Sequence, residues 1–398
     1  MDSSRLAERM GHIGASPTMK GTAAAENLRR DGVDVVDLGA GEPDFPTPAH
    51  VCAAAHAAID AGRTKYTSNV GILDLRQAVA ARYQADYGVT YAPDEVVICA
   101  GGKQALFHAA LGLFGPGDEV ITHVPGWPTI VEQIKLAGAA PVVVTTHAET
   151  GFVPTAQGLL GAATARTRGI VINSPGNPTG ALLSEADARI LAREAAANGW
   201  WIVIDLCYER LIYNNVPHNL PGIFAETMRD RLVLAGSTSK AYAMTGWRLG
   251  WAVGPKPFAQ AANALQSHST SNASSITQHA ALAALTGPQQ CVTDMLHEYQ
   301  QRRDQVLEWL KEEPRLRAVV PQGAFYVFPD ITDFLSPDGF RTSLEFCDAL
   351  LAEEFVVTTP GEAFDAPGFM RLSYATSLER LREGVTRLIR FARKHAPK

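Results

Sequence analysis

What this sequence lacks narrows its function before any motif is read. No run of 18 apolar residues occurs, so no segment is expected to cross a membrane. The five cysteines (Cys52, Cys99, Cys207, Cys291 and Cys347) are scattered, with no C-x-x-C pair. That removes the usual zinc and redox motifs, and an odd number of free thiols fits a reducing cytoplasm. A basic excess is missing too. The 35 Lys and Arg stand against 41 Asp and Glu, a net charge of −6, which argues against a nucleic-acid partner. Residues 1–14 carry both charge signs and no apolar signal-peptide core, so export is not expected. Internal repeats and low-complexity tracts are absent as well.

What is present suits a globular chain. Its 398 residues are 46% hydrophobic and 19% charged, enough for a buried core and for one large domain with a smaller companion. Short apolar, β-branched runs at 95–100, 119–124, 141–146, 169–173, 201–206, 232–235 and 249–253 read as strands, several buried on both faces. Between them lie helical patterns at 103–114 and 184–198, and one long pattern at 257–285. Ser184 followed by Asp187 marks a helix start. This alternation predicts an α/β fold with a mostly parallel sheet wrapped by helices. The last third differs. Helices at 289–313, 343–354 and 377–394 interleave with short runs at 325–328, 356–359 and 370–373, an α+β pattern. The division read from this is 1–45 as an arm and part of a small domain, 46–287 as the large domain and 288–398 as the small one.

The segment Ser237-Thr238-Ser239-Lys240-Ala241-Tyr242-Ala243-Met244-Thr245-Gly246-Trp247-Arg248-Leu249-Gly250 carries the most chemistry. A lysine leaving a strand between small hydroxyl residues can sit in a pocket. There its free amine can form a Schiff base with an aldehyde. Arg248 and Ser237 are of the right type to hold a phosphate. Gly101-Gly102-Lys103-Gln104 follows a strand and opens a helix, and N–H groups at a helix start bind anions. This is not G-x-G-x-x-G, so a dinucleotide-binding reading fails. Asn177 lies in the Asn-Pro-Thr-Gly turn beyond another strand, where ligands of open α/β sheets sit. Asp205 ends an apolar strand. Arg371 is a planar double donor suited to a carboxylate. Taken singly, each of these is compatible with an ordinary turn, cap or surface residue.

Together they resemble a family. The lysine segment resembles the cofactor-lysine motif of class I aminotransferases, the fold type I pyridoxal-phosphate (PLP) enzymes. Further pieces in the family's order are Ala40-Gly41-Glu42-Pro43-Asp44-Phe45, Lys65-Tyr66 with Gly71, Gly101-Gly102-Lys103-Gln104-Ala105, Ser174-Pro175-Gly176-Asn177-Pro178-Thr179-Gly180, Asp205-Leu206-Cys207-Tyr208 and Arg371-Leu372-Ser373-Tyr374-Ala375. The resemblance spans about residues 16–390.

It implies pyridoxal 5'-phosphate as cofactor, held covalently by Lys240. It implies Asp205 against the pyridine nitrogen, Tyr208 and Asn177 on the ring oxygen, and Trp127 stacked on the ring. Gly102, Lys103, Gln104, Ser237 and Arg248 fall at the phosphate. Tyr66 would reach the cofactor phosphate of a neighbouring subunit, which makes the protein a homodimer with shared active sites. Arg371, Gly41, Asn177 and Trp127 would meet the substrate α-carboxylate and backbone. No metal ligand set is implied. The expected reaction is a ping-pong transfer between an L-amino acid and a 2-oxo acid such as 2-oxoglutarate, with Lys240 moving the proton.

The donor is read from differences within the family. Residues 266–272 hold no second substrate arginine, and the sequence resembles the bacterial subgroup of aspartate aminotransferases instead. In that subgroup Lys103, Ser16 and Thr18 match positions that meet the distal carboxylate. Gly126 replaces the bulkier residue common among relatives, which would widen the pocket. His268 is a further polar neighbour. The alternatives are an aminotransferase for prephenate, aromatic or other substrates, a PLP-dependent C–S lyase, and a non-catalytic binding protein on the same scaffold.

Overall fold

The computed structural model describes residues 7–11, 13–14 and 20–396. In chain order, helix α1 (Lys20–Arg30) and strand β1 (Val36–Asp37) precede α2 (Ala49–Asp60) and α3 (Leu73–Tyr87). An alternating stretch follows: β2 (Val96–Cys99), α4 (Gly102–Leu113), β3 (Glu119–Val124), α5 (Pro128–Leu136), β4 (Ala140–Thr145), α6 (Ala156–Gly161), β5 (Thr167–Asn173), α7 (Glu185–Asn198), β6 (Trp201–Asp205), α8 (Leu220–Met228) and β7 (Leu232–Ser237). Strand β8 (Gly250–Val253) leads to α9 (Lys256–Ser267), α10 (Ser275–Thr286) and α11 (Gln290–Leu310). The chain ends with β9 (Tyr326–Val327), α12 (Ser343–Glu354), β10 (Val356–Val357), β11 (Thr359–Pro360), β12 (Met370–Ser373) and α13 (Leu378–Lys394).

Seven strands form the main sheet in the order β2-β8-β7-β6-β5-β3-β4. Pairs within β4-β3-β5-β6-β7 are parallel, and β8 runs antiparallel to both of its neighbours. The mostly parallel sheet expected from the sequence is therefore present. Strand alternation feeds two cores. Along β6, Ile202 and Ile204 join a cluster with Leu75 and Val79 of α3, Leu191 of α7 and Phe224 of α8. Val203, between them, faces the opposite cluster with Ala105 and Ala109 of α4, Ile134 of α5 and Ala262 of α9. Both faces are covered, so these strands read as continuous apolar runs.

A third core gathers Val36 and Leu38 with Tyr299, Phe325, Phe346, Leu372, Leu388 and Phe391. Strand β1 pairs in parallel with β10, and β12 lies between β11 and β9. Most helix and strand positions agree with the sequence expectation. Ser184 accepts the backbone N–H of Asp187 as the cap of α7. Two expectations are corrected. The long helix at 257–285 is two helices, α9 and α10. Residues 268–274 are rich in hydroxyl side chains that compete for backbone partners. Ser271 has φ +57°, and Ser274 caps α10. The run at 356–359 divides into β10 and β11, which pair in different sheets.

Gly250 lies where β7, β8 and the start of α4 crowd together. A Cβ added there would stand 2.4 Å from Gly102 N and 2.6 Å from both Gly101 C and Gly236 O. All three are backbone atoms that cannot swing aside. Gly250→Ala is expected to cost at least about 3 kcal/mol, read as a lowered denaturation midpoint.

Candidate active site

The chemical groups carried by the turns that follow five strands sit at one edge of the main sheet, the carboxyl ends of those strands. Strands β2, β3, β5, β6 and β7 run the same way, and their carboxyl ends are followed by Gly101-Gly102, Trp127, Asn177, Tyr208 and Lys240 respectively. Asn173 pairs in register with Asp205, and Asp205 with Ala235. Strand β8 starts at this same edge, which brings Arg248 there by the opposite route.

Positive charge gathers at one end of this edge. The guanidinium of Arg248 lies against the start of α4, where a Cβ on Gly101 would be 2.5 Å from its Nη2. Gly101 adopts φ +90°, a conformation costly for other residues. Among the described residues, Arg248 donates only to the carbonyls of Thr245 (2.9 Å) and Ala100 (3.3 Å). The Lys103 ammonium stands 4.9 Å from the Trp127 ring centre. Burial, then Arg248 and Lys240 nearby, lower the Lys103 pKa from its usual value. Lys240 donates to the Gly41 carbonyl, and its Nζ is 5.9 Å from the Tyr208 ring and 5.7 Å from Phe325. Among the described residues none of these three cations has a carboxylate within ion-pair distance. Ser237, at the end of β7, accepts the backbone N–H of Ser239 at 2.9 Å. Gln104 turns back to accept the Ala100 N–H and donates to Thr270 Oγ1 at 2.7 Å.

The other end holds a buried carboxylate and a buried arginine. Asp205 is 3% exposed and accepts one backbone N–H, from Cys207 at 3.0 Å. Burial pushes its pKa up to about 6, against a smaller opposing pull from Lys240. Tyr208 is buried, and its hydroxyl lies 2.7 Å from that of Tyr326. Burial, with Tyr326 adding to it, raises the Tyr208 pKa well above the usual value. Arg371 donates to Asn177 Oδ1 at 3.0 Å, to the Gly39 carbonyl at 2.8 Å and to Thr359 Oγ1 at 3.3 Å. Its Nε is buried without a partner among the described residues. Asn177 is itself fixed by Asn173 Oδ1, which accepts its N–H at 2.8 Å, and the Asn177-Pro178 bond is cis.

These groups fit pyridoxal phosphate. A guanidinium packed on the positive end of a helix, beside a second cation, is unfavourable alone and favourable around a dianion. A buried carboxylate with one donor suits a protonated ring nitrogen. An amine stands between the two. Not every residue named from the sequence joins this cluster. Tyr66 is 90% exposed on the chain's surface. Ser16 and Thr18 lie outside the described residues, although Gly14 N donates to Glu132 of α5 at 3.2 Å. His268 is an exposed residue at the end of α9. Gly126 does more than leave space. A Cβ there would be 2.4 Å from the His123 carbonyl, and its N–H donates to the Phe364 carbonyl at 3.3 Å. Sequence reasoning missed Tyr326, taken only as part of a strand, and the pair Ser174 Oγ and His218 Nε2, 2.8 Å apart. A tyrosine in an otherwise apolar buried run was the available signal for the first.

Comparison with known proteins agrees along the whole chain. The family model described as aminotransferase class I and II matches residues 33–388. An aspartate aminotransferase of Geobacillus stearothermophilus is 41% identical over 392 residues, 98% of this chain and 100% of the relative. An aspartate/prephenate aminotransferase of Cereibacter sphaeroides is 40% identical, covering 97% of this chain and 98% of its own. The structure of the Thermus thermophilus aspartate aminotransferase with maleate superposes with a TM-score of 0.91 at 39% identity, covering 97% and 99% of the two chains.

The raised Asp205 pKa has a measurable sign. Between the unfolded value near 4 and about 6, the folded chain keeps a proton that the unfolded chain releases. The penalty is absent below that window and complete above it, about 3 kcal/mol for two units. Asp205→Asn, in protein stripped of bound ligands, is expected to be more stable than the parent at pH 7.5. That gain should vanish near pH 4, as read from urea unfolding at both values.

Proposed function

The chain belongs to the class I and II aminotransferases, and we propose that it takes L-aspartate as its amino donor and 2-oxoglutarate or a related 2-oxo acid as acceptor. It is a pyridoxal-phosphate-dependent transaminase. The observation that carries the aspartate reading is Lys103. Its ammonium stands over Trp127 with no carboxylate partner among the described residues, a cation additional to Arg371. A donor with two carboxylates satisfies both. The Geobacillus relative is named an aspartate aminotransferase, and the Thermus relative was solved with maleate.

Bound at this edge, the cofactor supplies an electron sink that weakens the bond from the substrate α-carbon to its hydrogen. The residues then divide the work. Lys240 would hold the cofactor and, with its amine freed, move the proton at the α-carbon. Asp205 would keep the ring nitrogen protonated. Tyr208 and Asn177 would donate to the ring oxygen, and Trp127 would cover the ring. Gly102, Lys103 and Gln104 would offer N–H groups to the phosphate, with Ser237 and Arg248 beside them. Arg371 and the Gly41 N–H would take the α-carboxylate. The Lys103 ammonium, with Ser16 and Thr18, would take the distal carboxylate. Lys103 thus serves phosphate through its backbone and substrate through its side chain.

The same proposal makes the enzyme a homodimer in the cytoplasm. An aromatic side chain as open as Tyr66, 90% exposed, suits a contact with a second subunit's cofactor phosphate. Among the described residues no helix is long and apolar enough to cross a membrane. In this reading residues 46–287 form the large domain, 288–398 the small one, and 1–45 an arm and part of the small domain. The cores centred on the main sheet and on α11, α12 and α13 support that division. Prephenate as amino acceptor is the second reading, favoured by the Cereibacter relative's name.

Lys103→Ala is expected to lower kcat/KM for L-aspartate about 10- to 100-fold and to leave L-alanine much less affected, because one charge-assisted bond is lost. Equal loss for both donors would sink the dicarboxylate reading. Lys240→Ala should lower kcat by about 10,000-fold or more, and retained multiple turnover would remove Lys240 from its role.

A further inference from the structure

One residue links Tyr208 to Arg371 and has no part in the function given above. Tyr326 in β9 is 1% exposed. Its hydroxyl is 2.7 Å from the Tyr208 hydroxyl, and its ring centre is 4.3 Å from the Arg371 guanidinium carbon. A Cβ on Gly41 would stand 3.6 Å from the same hydroxyl. Among the described residues, Tyr208 is the hydroxyl's one hydrogen-bond partner.

The position is held from several sides. Ala324, two residues earlier, adopts φ +59°, which an alanine keeps only where its surroundings enforce it. Its N–H donates to the Leu211 carbonyl at 2.9 Å. Its carbonyl accepts the hydroxyls of Tyr213 and, at 3.3 Å, Tyr374. Phe325 meets the Tyr208 ring edge-on at 5.5 Å. Tyr326 is therefore placed by the backbone and not by a loose side chain finding a gap.

The direction of the tyrosine pair follows from charge. With an anionic ring oxygen in front of it, Tyr208 gains most by donating its own proton there, since bonds to ionised acceptors are about twice as strong. Its oxygen is then left to accept, and Tyr326 is the donor within reach. Each bond in such a chain strengthens the next. On the other side, the Tyr326 ring backs the guanidinium that meets the substrate carboxylate.

We propose that Tyr326 is a positioning residue for amino transfer: its hydroxyl donates to Tyr208, turning the Tyr208 proton toward the cofactor, while its ring backs Arg371. This rests on the roles given above to Tyr208 and Arg371. The hydroxyl and the ring therefore have separable effects, one on the cofactor and one on the substrate.

The test uses cofactor-loaded enzyme and reads the pH midpoint at which the bound cofactor's visible absorbance changes, together with KM. A donor to the ring oxygen favours the deprotonated form, so weakening it moves the midpoint upward. Tyr326→Phe should raise the midpoint by about 0.4 to 1 unit, the size of one neutral hydrogen bond, with KM within about twofold of the parent. Tyr326→Leu should add a rise in KM of about 2- to 10-fold by removing the ring. Tyr208→Phe should raise the midpoint at least as far, and Tyr208→Phe with Tyr326→Phe no further than Tyr208→Phe alone. An unmoved midpoint in Tyr326→Phe, where Tyr208→Phe moves it, overturns the role of Tyr326 alone. An unmoved midpoint in Tyr208→Phe overturns the Tyr208 assignment, and this proposal with it.

Discussion

The level ending of neighbouring strands is the constraint on which the site depends. Asn173, Asp205 and Ala235 sit side by side in the parallel register of β5, β6 and β7. The residues that follow must leave the sheet together, so turns with different sequences deliver their side chains to one place. A one-residue slip of β6 would turn Asp205 to the other face of the sheet and replace it at the edge with an aliphatic neighbour. The apolar packing of Ile202, Val203 and Ile204 on two faces prevents that slip. Core packing thereby sets where the carboxylate points.

Charge is handled unevenly around that edge. Elsewhere in the chain, buried arginines are paired. Arg82 meets Glu209, and Arg302 meets Asp44 at 2.7 Å. Arg248, Lys103 and Arg371 are not paired with carboxylates among the described residues, although Arg371 is 3% exposed. Leaving an arginine buried with only neutral acceptors costs free energy unless something anionic completes it. The molecule spends stability here and regains it when phosphate and carboxylates bind.

Much of this was legible in the sequence because strand and helix periods are local. The runs at 119–124 and 370–373 coincide with β3 and β12, since their apolar character and length decide the element without tertiary help. Lys240, Asp205, Asn177 and Arg371 were visible through the order of their motifs. What was not legible depended on distant partners. The break between α9 and α10 follows from hydroxyl side chains choosing backbone partners, which a hydrophobic pattern does not record. Tyr326 looked like core because its meaning comes from Tyr208, 118 residues away in sequence. The close backbone approach at Gly126 is equally invisible in sequence, since it depends on how the chain turns back on the His123 carbonyl.

The pairing of β1 with β10 has a consequence for synthesis. Val36 meets Val356, so 320 residues (356 − 36) separate partners in the same two-stranded sheet. A ribosome adding roughly 5–20 residues per second exposes the first strand for about 16 to 64 s before its partner is made. During that interval Val36 and Leu38, both almost fully buried in the finished chain, have nowhere of their own to pack. The main sheet can collapse meanwhile from sequential neighbours. The nascent protein therefore carries an unsatisfied apolar strand until β10 is made, and that strand is where a chaperone has most to protect.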